Sequence, residues 1–216
     1  SFLINIGIAY SLSLLPTLTR LQDRPEDQRD LYHEASAQMF AAGLPIAIGG
    51  TLLAPAIIGF VFGAEYAPSV IALQVLLWFI PLALLRDVPI IALMSAARED
   101  RVLRITAWAA ALNVALNLVL IPRYGILGAA ASTVATEAIR MVVAFAFAAR
   151  TGFTVVSAKR FWKAGLASLA MGGVMLLVGS GGLWVGLVVG IGAYAATLTL
   201  VGGIRLGPGG TPVLNL

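Results

Sequence analysis

Ile121-Pro122-Arg123-Tyr124-Gly125-Ile126-Leu127-Gly128-Ala129-Ala130 is the stretch that decides the fold. Pro122 has no N–H to continue the helix before it, and Gly125 can take backbone angles that other residues avoid. On either side stands a long apolar segment, about Ile105 to Ile121 before it and Leu127 to Ala149 after it. A turn this short between two segments of membrane length reads as a re-entry hairpin at a bilayer surface.

Composition agrees. Apolar residues make up 60% of the 216-residue chain and charged residues 11%, with a mean hydropathy of +0.95. Soluble domains carry about 25% charged residues. A chain this apolar needs a second apolar solvent, so it reads as an all-α integral membrane protein. Its formal charge of +4 comes from short basic clusters between apolar runs, which is a membrane pattern and not a nucleic-acid footprint. The chain contains no cysteine, and its single histidine, His33, lies in a charged segment without a second ligand nearby. No cofactor and no metal site are expected.

Seven segments have the length and polarity to cross about 30 Å of hydrocarbon. They run from about Phe2 to Leu18, Ser36 to Phe62, Pro68 to Ser95, Ile105 to Ile121, Leu127 to Ala149, Ala164 to Val178 and Leu183 to Ile204. A mixed-charge loop from Arg20 to Glu34 joins the first two. Ser1 opens the chain inside an apolar run, so the sequence reads as the C-terminal part of a longer protein. Residues 1–150 are expected to form a partial C-terminal transporter lobe of five spans, 151–204 to add two more, and 205–216 to be a disordered tail rich in Gly and Pro. The loops after spans one, three and five, together with the tail, hold Arg20, Arg24, Arg29, Arg98, Arg101, Arg104, Arg150, Lys159, Arg160, Lys163 and Arg205, against Arg123 alone on the other side. The basic side therefore faces the cytoplasm. Gly63-Ala64-Glu65, the Arg123 turn and the Ser180-Gly181-Gly182 turn face outward.

Four charges fall inside spans: Arg86, Asp87, Glu137 and Arg140. Ionisable groups at membrane depth line a cavity or pair with one another. Glu137 and Arg140 share a helix face at a spacing of three and can form an ion pair. Arg86 and Asp87 are neighbours about 100° apart around a helix and are not expected to pair well. Arg86 stands between Pro81 and Pro89, either of which permits a kink, so it is either a ligand for a phosphate or carboxylate or an arginine at the cytoplasmic interface. Pro45 is a third hinge candidate. Asn113 and Asn117, four apart in span four, either join helices by hydrogen bonds or line a cavity. Gly182, Gly186 and Gly190 make a close-packing stripe. No nucleophile–base constellation and no phosphate-binding glycine loop are present, so the chain is not expected to be an enzyme or an ATP-driven pump. Broken helices with a few buried charges point to a secondary transporter.

These segments together resemble the C-terminal half of the polysaccharide and oligosaccharide-lipid flippases, relatives of the multidrug and toxin extruders and the lipid II flippases in one exporter superfamily. The likeness rests on Leu14-Leu15-Pro16-Thr17-Leu18-Thr19-Arg20, on Leu53-Ala54-Pro55-Ala56-Ile57-Ile58 leading to Phe62-Gly63-Ala64-Glu65-Tyr66-Ala67, on Ser95-Ala96-Ala97-Arg98-Glu99, and on Asn113 through Gly125 into Gly128-Ala129-Ala130, in that order. It covers about residues 1 to 150. It implies the C-terminal lobe of a two-lobed, inverted-V transporter in a prokaryotic cytoplasmic membrane. The implied activity is movement of an undecaprenyl-pyrophosphate-linked glycan to the outer leaflet by alternating access. By that analogy Arg86 stands nearest the substrate phosphates, with Arg140 second. The implied partners are the bilayer, the polyprenyl-pyrophosphate glycan and the missing N-terminal lobe, without which the fragment is not expected to transport.

Two other functions fit the same residues. A multidrug or organic-cation antiporter of the superfamily would depend on Glu137 or Asp87. A non-transporting membrane scaffold for glycan assembly would use the Gly182–Gly186–Gly190 stripe for a partner.

Overall fold

The computed structural model describes residues 13–154, 156–178, 182–206 and 212–214. Residues 13–20 are helical; the rest of the first expected span lies outside the described residues. Helix α1 is Pro25–Val61. The expected loop from Arg20 to Glu34 is thus corrected from Pro25 onward. Pro25 sits in the first turn with Glu26 and Asp27, where a missing N–H costs nothing and the helix dipole favours negative charge.

The helix runs through both Pro45 and Pro55 without interruption. Each proline leaves the carbonyl four residues earlier without its ladder donor. Both orphans are answered from neighbouring helices. The Tyr194 hydroxyl donates to the Ala41 carbonyl at 2.7 Å, and the Gln74 amide donates to the Thr51 carbonyl at 3.1 Å. This is how a membrane helix accommodates proline. The sequence reading of Pro45 as a hinge finds a continuous helix with its missing bond replaced.

Gly63 turns the chain with φ of 91°, and a 3₁₀ helix, Ala64–Ser69, leads into α2, Val70–Leu77. Trp78 separates α2 from α3, Phe79–Ser95. The third expected span is therefore interrupted. Pro81 accounts for the position, since it withholds its donor from the carbonyl of Leu77, where α2 ends. Pro89, the other hinge candidate here, lies inside a continuous α3. Gly43 of α1 lets α3 approach closely, because a Cβ there would come within 2.6 Å of the Pro81 Cα.

Helix α4, Glu99–Ala149, is the expected hairpin: it consists of two helical arms joined at Gly125, whose non-helical φ of 57° and ψ of −133° fold them back on one another. Asn113 bonds to Thr136 and Ser132 to Asn117 across the arms. Gly128 is obligatory at the neck, since a Cβ there would run into the Leu120 carbonyl. After a 3₁₀ turn at Ala158–Arg160 come α5, Trp162–Val178, and α6, Leu183–Leu200. Of the turn between them, Ser180 and Gly181 lie outside the described residues, while Gly182 caps α6 with φ 89°. Strand β1, Ile204–Leu206, pairs antiparallel with β2, Pro212–Leu214. Most of the expected disordered tail, residues 207–211 and 215–216, lies outside the described residues.

Among the described residues, four helices are long and apolar enough to cross a membrane: Pro25–Val61, Ala64–Ser95, Glu99–Ala149 and Leu183–Leu200. Trp162–Val178 is apolar but shorter. Helix α1 packs against α2, α3, α5 and α6, and α4 packs on α2 and α3.

The best-buried core sits at the end the basic loops mark as cytoplasmic. Leu18, Tyr32, Met39, Val88, Ile91 and Phe153 meet there. Polar ties join the same loops: Gln22 donates to the Ser95 carbonyl, Arg29 to the Gly152 carbonyl, and Arg160 pairs with Asp30 at 3.2 Å. At the opposite end Phe60, Phe62, Tyr66, Tyr124 and Trp184 are exposed, as aromatic side chains are at a membrane–water boundary.

Candidate functional site

The four span charges come together in one cluster between α3 and the second arm of α4. Arg86 Nε donates to Glu137 Oε1 at 2.5 Å, and Arg86 Nη1 to Asp87 Oδ1 at 2.6 Å. Arg140 approaches Glu137 Oε2 at 3.8 Å from one turn along the same arm. Its other terminal nitrogen reaches the Thr106 hydroxyl across the hairpin at 3.3 Å. The Glu137 side chain is 6% exposed and Arg86 13%, against 23% for Arg140 and 33% for Asp87.

One expectation is corrected. Arg86 and Asp87 do pair, because three methylenes let the guanidinium curl back to a carboxylate whose Cβ points 100° away. The expected Glu137–Arg140 contact is present, but Arg86 is the nearer partner of Glu137. Two guanidiniums and two carboxylates balance, which is how charge persists at low dielectric. The bonds are not all filled: Arg140 Nε is buried with no hydrogen-bond partner among the described residues.

Asn113 and Asn117 form a second cluster. The Asn117 amide donates to Asn113 Oδ1 at 2.9 Å, the Asn113 amide reaches the Thr136 hydroxyl at 3.3 Å, and the Ser132 hydroxyl donates to Asn117 Oδ1. The asparagines thus join the hairpin arms. Thr136 precedes Glu137, so the amide seam and the charge cluster share one stretch of helix. Ser132, Thr136 and Thr106 were missed from the sequence. Folding the arms back about Tyr124–Gly125 would have placed residue 117 opposite 132 and 113 opposite 136. Among the described residues no group of His, Asp and Glu could hold a metal ion.

The glycine stripe is used internally. Gly186 packs against the end of the Leu53 side chain of α1 and Gly190 against Met175 of α5, so that a Cβ at either position would make those side chains shift. That leaves less of it for a scaffold partner.

A family model described as lipid II flippase MurJ matches residues 3–196. The chain belongs to the MurJ lipid II flippase family. Among solved structures, one titled "Lipid II flippase MurJ, inward closed conformation" superposes with a TM-score of 0.77 at 16% sequence identity, covering 93% of this chain. The chain spans 45% of the length of that flippase. No curated protein matches. MurJ family membership makes the chain part of a transporter family and not an enzyme, and places it in the bacterial inner membrane, which it crosses more than once. The resemblance read from sequence named the wider group of glycan-lipid flippases; the MurJ family is the narrower finding within that superfamily.

Proposed function

We propose that this chain is the C-terminal half of a flippase that moves a polyprenyl-pyrophosphate-linked glycan from the cytoplasmic to the outer leaflet by alternating access. In this reading residues 1–150 supply five spans of the second lobe and 151–204 two more, seven in all, and the first lobe closes the cavity. The observation that carries the proposal is the charge cluster of Arg86, Asp87, Glu137 and Arg140, held at membrane depth in a chain whose family model covers residues 3–196.

Arg86 is the group assigned to the substrate phosphates. A guanidinium held by two carboxylates is poised: an arriving diphosphate offers more acceptor oxygens than Asp87, the more exposed partner, and can displace it. Glu137 stays in place and keeps the arginine aimed. Arg140 adds positive potential beside it. Exchange of one anionic partner for another, without loss of charge balance, lets the site load and unload without leaving a bare charge in the membrane.

The antiporter reading asks for a carboxylate open to cations. Glu137 is buried and flanked by Arg86 and Arg140, which disfavours it.

The test is rescue of cells depleted of their own lipid II flippase by the transporter containing this chain. Arg86→Ala abolishes rescue, Asp87→Asn retains it, and Arg86→Lys, which keeps charge but loses the fork, is intermediate. Full rescue by Arg86→Ala at wild-type protein levels removes the assignment.

A further inference from the structure

A groove runs between the two arms of α4 on the face that carries Trp108 and Ile139. It encloses about 320 Å³. Its walls are apolar, with Trp108 and Leu112 from one arm and Ile139 and Val143 from the other. Between Arg104 and Leu112 on one arm, and between Phe147 and Thr136 on the other, it extends about 12–16 Å along the helices, the depth of one leaflet of hydrocarbon. Trp108 is 76% exposed and Ile139 is exposed beside it, so the groove opens to the side.

Cations gather at one end. Arg104 and Arg140 line the groove. The guanidiniums of Arg101 and Arg150 lie over the Phe147 ring at 5.8 and 5.7 Å. Arg101 Nη1 is buried with no hydrogen-bond partner among the described residues, while Arg104 is exposed; Arg140 lies deeper, beside Glu137. The carboxylates nearby are few. Asp100 stands 3.8 Å from exposed Arg104, and Glu137 is held chiefly by Arg86 at 2.5 Å. The mouth is therefore positive, and it belongs to the end that the basic loops assign to the cytoplasm.

We infer that this groove holds an anionic glycerophospholipid of the cytoplasmic leaflet, with its phosphate at Arg101 and Arg104 and one acyl chain along Trp108, Leu112, Ile139 and Val143. An apolar trough one leaflet deep fits an acyl chain. The exposed Arg104 guanidinium, with Arg101 three residues before it on the same arm, fits a phosphate at its cytoplasmic mouth. A zwitterionic lipid would fill the trough equally well but would bring a cation to a mouth already positive. The lipid is a resident one, bound apart from the Arg86 pocket assigned to the transported substrate.

Trp108 reports on the groove directly. In protein carrying Trp78→Phe, Trp162→Phe and Trp184→Phe, reconstituted in phosphatidylcholine vesicles, brominated phosphatidylglycerol quenches Trp108 more strongly than brominated phosphatidylcholine at the same mole fraction. Arg101→Gln with Arg104→Gln lowers that preference about 25-fold, at roughly a factor of five for each arginine beside an anionic lipid, while Arg101→Lys with Arg104→Lys keeps most of it. Ala109→Phe fills the groove without altering charge and also weakens the quenching. Equal quenching by the two brominated lipids overturns the proposal, as does a preference that survives the glutamine pair or the filled groove. The readout needs no transport, so it stands or falls apart from the flippase reading.

Discussion

Removing Glu137 exposes how the charge cluster is held. Glu137→Leu leaves Arg86 buried at 13% exposure with Asp87 as its remaining close partner. Breaking a buried pair costs about 3–5 kcal/mol, and Asp87 keeps this case near the lower end, about 3 kcal/mol. Arg86→Leu is worse. It leaves Glu137 at 6% exposure with Arg140 at 3.8 Å, beyond hydrogen-bond reach, so about 5 kcal/mol is expected. The double variant removes both buried charges and leaves Asp87 and Arg140, the more exposed pair, so its cost falls at least about 2 kcal/mol short of the sum. Thermal unfolding in detergent, at about 2–4 °C per kcal/mol for a chain of this size, reads this as a loss of about 6–12 °C for Glu137→Leu. The loss is larger for Arg86→Leu, and the double variant recovers part of it. Strict additivity of the two substitutions, or a Glu137→Leu midpoint within 2 °C of wild type (under about 1 kcal/mol), refutes the reasoning.

Other consequences are as direct. Tyr194→Phe removes the donor to the Ala41 carbonyl and lowers stability by about 1 kcal/mol; in a Pro45→Ala background, where residue 45 regains its N–H, the same change costs close to nothing by the same unfolding measurement. Gly128→Ala drives a Cβ into the Leu120 carbonyl and costs about 1–3 kcal/mol, and disulfide cross-linking of Asn113→Cys with Thr136→Cys, efficient in the wild-type hairpin, declines. Asn117→Leu breaks the Ser132 bond across the hairpin and the Asn113 bond along its own arm and costs about 0.6–1.7 kcal/mol, seen as a modest midpoint shift with expression retained.

The sequence made the hairpin legible because its signal is local: Gly125 adopts the positive φ that the turn needs, while Pro122, read as the end of the first arm, lies within that arm three residues before the turn. The helical start at Pro25 carried an equally local signal, a first-turn proline with two acidic residues, but the density of charge around it read as a loop. The break at Trp78 follows from Pro81 four residues on from Leu77, a consequence that span-length reasoning passes over. Their place inside apolar runs marked Arg86, Asp87, Glu137 and Arg140 as exceptions in the sequence, and the structure brings the four side chains together. Their partners were another matter. Arg86 and Glu137 are 51 residues apart, and nothing in either neighbourhood encodes that α3 lies on the second arm of α4. The replacement of Pro45 and Pro55 ladder bonds by Tyr194 and Gln74 is likewise a tertiary fact.

The most direct measurement is transbilayer movement of a lipid-linked glycan in vesicles containing the complete transporter, followed by accessibility of the glycan to a membrane-impermeant enzyme on one side. Movement is expected in the wild type and is abolished by Arg86→Ala in protein that remains folded, with its Glu137 partner intact. Undiminished movement by Arg86→Ala would contradict the assignment of Arg86 to the substrate phosphates.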